Sequence, residues 1–148
     1  MPGGMSRVIQ PDSAGRERNR LMKAMVVALR ELAAQKAPDE ESLDLAAFIA
    51  VALQHISSGI DPSVAAWEKR GYWVKADRFR LDWAWTESLA KRMMASVLAR
   101  DWAGIASFAA ELAPRLATIN VPVRNRLGRP WAGAYQRLLA AESNRPPH

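Results

Sequence analysis

Residues 67–85 read WEKRGYWVKADRFRLDWAW, and the fold turns on whether these interleaved aromatics and cations are a packed helix face or a binding surface. At about 100° per residue, Ala76, Phe79 and Trp83 fall on one stripe that continues through Ala90, Met94 and Val97, with Met93 at its edge. Apolar residues at that spacing mark an amphipathic helix, and the pattern predicts a long one over about 74–99. Val74, Leu81 and Trp85 fall almost opposite, with Arg92 continuing their line.

A surface helix has one apolar face, so the second face needs a reason. One reason is a central position. A bundle needs a helix wrapped by the others, and Trp85 would then be core, with its indole N–H bonded to a neighbour. We expect this long central helix near 74–99. The other reason is exposure, in which case Val74, Leu81 and Trp85 form an apolar interface for a partner.

Cations lie between the two stripes. Arg78 and Asp82 are four residues apart, as are Glu87 and Lys91, a spacing that favours weak surface pairs of about 0.3–0.5 kcal/mol. Lys75 and Arg78 are candidates for phosphate contact. Tyr72 and Trp73, beside the Gly71 turn, are candidates for stacking on bases or on a flat ligand. The competing expectation is that these two rings seal the end of the bundle.

Outward from this stretch, the chain reads as helices joined by short turns. Residues 1–12 carry Pro2, Gly3, Gly4 and Pro11 and are expected to be a flexible arm. A first helix opens at RERNRLMKAMVVALRELAAQK and ends at Pro38. Asp39 can cap a second helix, with Glu40, Glu41 and Asp44 placing negative charge near its start. That helix contains LDLAAFIAVALQHI (43–56), too short and too charged for a bilayer crossing and better read as a buried core helix. Gly59 is expected to close it in a left-handed conformation, and DPSV (61–64) to start a short helix with Asp61 as cap and Pro62 in its first position.

Asp101 restarts the chain beyond the long helix, as the cap of the next one. In WAGIASFAAELAPRLATI, Pro114 should kink or divide the element. NVPVRNRLGR (120–129) is the most loop-like internal segment, with VPV as a possible extended piece, and Pro130 is expected to start a last helix. Residues 143–148 read as a tail. The expected architecture is all-α, a single-domain bundle of five or six helices over 13–142, with no repeat period.

The chain has 148 residues, enough for one core, and its apolar and charged fractions are those of a soluble globular protein. The net charge is +6, yet residues 37–71 carry six acids against two bases, so the basic surplus lies to either side. Such asymmetry can steer an anionic partner. It also follows from composition, since arginine outnumbers lysine 16 to 5. A second basic patch, VRNRLGRPW, holds Arg124, Arg126, Arg129 and Trp131 and can bind an anion through guanidinium forks. No glycine-rich phosphate loop or RNA-binding signature accompanies it.

Several chemistries are disfavoured. There is no cysteine, hence no disulfide and no thiolate, which fits a reducing compartment; with no secretory signal pattern at the start, a cytoplasmic location is expected. The histidines are His55, expected to be buried in the core, and His148, so a Cys/His zinc site is not formed. Glu-x-x-His pairs and GxSxG are absent, and Ser57 and Ser58 beside His55 do not make a triad. No catalytic constellation, cofactor site or metal site is expected, and no membrane span.

The leading expectation is a non-enzymatic module acting through protein contacts or self-association, with Val74, Leu81 and Trp85 as its apolar interface. The alternative is nucleic-acid binding through Lys75, Arg78, Arg124, Arg126 and Arg129, with Tyr72, Trp73 or Trp131 stacking. A third is a small-molecule pocket lined by tryptophans.

Overall fold

The most apolar part of the chain begins at a cap. In the computed structural model, which describes residues 11–145, the Asp39 carboxylate accepts the Ser42 amide at 2.9 Å, and α2 (Glu40–Ser58) follows. The bonds from Ser42 hold the Asp39 carboxyl below its ordinary 3.8. Leu45, Ile49 and Leu53 are fully buried, and the buried residues of α2 cover more than half its circumference. Only a helix wrapped by others can bury so wide an arc.

The wrapping helices are α1 (Pro11–Ala33), α5 (Trp85–Leu98) and α7 (Ala134–Ser143), each packed directly on α2, while α6 (Trp102–Leu116) lies against α5. The remaining two, α3 (Ile60–Lys69) and α4 (Trp73–Trp83), pair mainly with each other. The protein is therefore an all-α single bundle. Gly59 alone separates α2 from α3 and Ala84 alone separates α4 from α5, so the seven segments make five rods. Residues 1–10 and 146–148, and with them most of the expected arm and tail, lie outside the described residues.

The central position belongs to α2, extended by α3, and not to residues 74–99. Together α2 and α3 are long and apolar enough to cross a membrane, but more than half of their most apolar stretch is buried inside the bundle. That hydrophobicity is used in packing.

Five local expectations are corrected. Gly59 is right-handed (φ −87°, ψ −5°) and Asp61 makes no cap; the Ser63 amide bonds to the Gly59 carbonyl, so helical bonding resumes across one residue. Pro62 fits because a first-turn amide has no helical acceptor to lose. Pro114 does not divide α6, which ends at Leu116, so the missing bond falls in its last turn. Pro130 opens a turn, and α7 starts only at Ala134, after Gly133 at φ +74°. The VPV segment forms no strand, and none occurs among the described residues.

The start of α7 has an unexpected cap. Asp44, from the second turn of α2, accepts the Gly133 and Tyr135 amides at 3.2 and 2.9 Å. Its carboxylate thus serves a helix 89 residues away.

Candidate functional site

The sequence's most unusual residues meet at the α3–α4 hairpin. Gly71 turns the chain at φ +82°, a conformation open to glycine at no steric cost. The two short helices enclose their own small core of Ile60, Val64, Ala76 and Phe79, flanked by Trp67 and Trp83. Trp67 meets Phe79 edge-on at 5.0 Å, the favourable geometry for two ring quadrupoles. Phe79, Trp83 and Trp85 then continue as a row of rings at 6.2 and 6.4 Å, carrying the hairpin's core into the main one. Arg18 of α1 lies over both Phe79 and Trp83, at 4.5 and 5.3 Å, and burial lowers its pKa from the ordinary arginine value.

Packing uses only one side of α4. Val74 and Leu81 are each 77% exposed, on the face opposite Ala76 and Phe79. Trp73 (61%) and Tyr72 (55%) are exposed as well, at the turn. Neither ring seals the bundle end. Gly71, Tyr72, Trp73, Val74, Lys75 and Arg78 together line an open depression of about 540 Å³. The Lys75 ammonium is held 4.8 Å over the Trp67 ring, and Arg78 is exposed.

Trp85 does not share this exposure. It is half-buried, stacked on Trp83, with the Arg115 guanidinium of α6 5.0 Å over its ring. The strip proposed from Val74, Leu81 and Trp85 is thus open only along α4, because α6 covers the start of α5.

The second basic patch separates into unlike parts. Arg124 and Arg126 are exposed. Arg129 is paired with Glu41 and stands 5.9 Å over the Trp131 ring. Trp131 itself is only 3% exposed, which removes it as a stacking platform. Its indole N–H has no bonding partner among the described residues. Lys75 and Arg78 lie on the hairpin, and the Arg124–Arg126 loop is a different part of the surface.

Electrostatics distinguishes the hairpin from the bundle. Ion pairs Arg20–Glu17, Lys91–Glu87, Arg92–Glu111, Arg100–Glu40, Arg129–Glu41 and Arg145–Glu142 all fall outside it. The Glu87–Lys91 pair was expected; the Arg78–Asp82 pair does not form, and among the described residues Lys69, Arg70, Lys75, Arg78 and Arg80 enter no ion pair. Lys69 and Arg70 went unnoticed in the sequence because they read as the end of a helix, although they flank the Gly71 turn.

The groups with catalytic potential are dispersed. His55 is exposed, not buried: it sits on the solvent side of α2 with Val51 and Ser58, outside the arc that other helices cover. The Ser58 hydroxyl donates to the His55 carbonyl and makes no bond to the imidazole. No group of three or more His, Cys, Asp or Glu among the described residues is placed to hold a metal. Trp102 borders an apolar recess of about 320 Å³ between α1 and α6, with Leu32, Pro38 and Ile105. No family model matches the chain, and no curated protein or solved structure is significantly similar to it.

Proposed function

We propose that this protein is a non-enzymatic interaction module. The bundle of α1, α2, α5, α6 and α7 is its scaffold, and the outer face of α4 is a docking surface for a protein partner. The observation that carries this reading is the exposure of Val74 and Leu81, both 77%, one above the other on the unpacked side of a short helix. Isolated exposed aliphatics are ordinary, but a strip of them beside an exposed Trp and Tyr has the make-up of an interface centre. The nearby cations supply a polar rim.

A photo-crosslinking residue at position 81, compared with one at exposed Ala110 on α6, tests the proposal in the protein's own cells. Position 81 is expected to give a discrete protein adduct that Val74→Gln abolishes. Adducts of equal yield and pattern at both positions, or none at position 81, would reject it.

A further inference from the structure

We propose that the depression at the α3–α4 turn is a binding site for single-stranded nucleic acid, with Trp73 and Tyr72 stacking on bases and Lys69, Arg70, Lys75 and Arg78 contacting phosphates. The site adjoins the docking strip and shares its exposed rings and cations, but it is argued from their stacking and charge and does not depend on a protein partner. Stacking requires a flat ring that offers a face to solvent, and these rings are more than half exposed at the rim of the same concavity. Most large aromatics elsewhere are committed to packing: Trp131 and Tyr135 are buried, and Trp83 and Trp85 stack on each other.

The second requirement is unspent positive charge close to the rings. Between residues 69 and 78 there are four cations and one acid, Asp77. None of these cations is used in an ion pair among the described residues, whereas the bundle's pairs engage Arg20, Arg92, Arg100 and Arg129. Lys75 is additionally held in place over Trp67, so its charge is fixed beside the depression before any ligand arrives. Exposed rings beside one fixed ammonium and further exposed cations, in an open concavity, suit a ligand that alternates planar bases with phosphates. Double-stranded nucleic acid hides its base faces, so the site favours single strands.

The test is fluorescence anisotropy of a labelled mixed-sequence single-stranded oligonucleotide and of its duplex, titrated with the full chain. At about 50 mM salt the single strand is expected to bind more tightly than the duplex and to weaken linearly on logarithmic axes as salt rises. Trp73→Ala should weaken binding about tenfold through lost stacking. Lys75→Glu with Arg78→Glu should reduce both the affinity and the salt slope. Arg124→Glu with Arg126→Glu should leave binding unchanged, as should Leu81→Gln, which alters only the docking strip. Far-UV circular dichroism of each variant confirms that it is folded; all these side chains are exposed. The proposal is overturned by no binding at low salt, by equal affinity for duplex, or by loss on changing Arg124 and Arg126 but not Trp73. Displacement by polyglutamate as effective as by unlabelled oligonucleotide would also overturn it, as would full displacement by a mononucleotide.

Discussion

Helices α4 and α5 follow one another across a single residue, Ala84, yet they live in different environments. In α5, Thr86, Leu89, Ala90, Met93, Ser96 and Val97 are buried between α2 and α6. In α4 only Ala76 and Phe79 are buried, against α3. The stripe continuous across both helices, Ala76 and Phe79 through Ala90 and Val97, is buried in each, and the difference lies in what each helix carries beside it. In α5 the rest of the surface is mostly polar, whereas α4 carries a second apolar set, Trp73, Val74 and Leu81, that faces water. Amphipathic periodicity says that a face exists; the number of neighbouring helices decides what covers it.

The contrast is broken or sharpened most strongly by truncating one leucine in each helix. Leu89→Ala, at 2% exposure, should cost about 4 kcal/mol in urea unfolding, whereas Leu81→Ala should stay within about 0.5 kcal/mol of the parent. Similar losses would mean that α4 is as embedded as α5.

Phe79→Ala removes the centre of the hairpin's small core and should cost about 3 kcal/mol. Because that core is a cluster of its own, joined to the main one through Trp83, the increase in amide exchange should concentrate in residues 60–83. An equal increase through α2 and α5 would show one indivisible core instead.

On the α5 side, packing at the α6 junction is tight. A Cβ at Gly104 would lie 2.5 Å from Ser96 Oγ and 2.6 Å from Asp101 Oδ2, so Gly104→Ala displaces the Asp101 cap and should destabilise by about 1 kcal/mol, read from its unfolding curve. Asp44→Ala, which removes the cap on α7, should cost about 1 kcal/mol. Its effect should appear as faster exchange in α7 with α4 unchanged.

The smallest effect is that of acid. Hydrogen bonds from Arg92 hold Glu111 below its ordinary 4.5, and those from Ser42 hold Asp39 below 3.8. Both carboxylates bind protons more readily in the unfolded chain. Their contribution is complete above those ordinary values and is lost as pH falls through the lower folded ones. The pair Arg92–Glu111 joins α5 to α6 and Asp39 caps α2, so acid should loosen the bundle slightly with no counterpart ion pair to lose in α4. A thermal melting series from pH 5 down to about pH 2 checks the sign.

The features legible in the sequence were local ones. The caps at Asp39 and Asp101 both form, the latter accepting the Gly104 amide at 3.0 Å, and Gly71 adopts its left-handed turn. Each depends on residues within three positions of itself. Gly59, read as a left-handed stop, instead carries helical bonding on into α3, and its local residues permit either outcome. What escaped entirely was long-range pairing. Asp44 capping α7, Glu41 holding Arg129 and the burial of Trp131 join segments nearly ninety residues apart, and no spacing rule connects them. Of the candidate site, Tyr72, Trp73, Lys75 and Arg78 were recognisable from their clustering at a turn. That Trp85 would be covered by Arg115 was not.

The central claim is that the outer face of α4 packs against nothing among the described residues, which leaves it open to the proposed partner. It is tested most directly by the double variant Val74→Gln, Leu81→Gln, measured for thermal unfolding. The account predicts a melting temperature within about 2 °C of the parent, because neither side chain loses a buried contact. A fall of about 8 °C or more would mean that these residues are structural, and would contradict it.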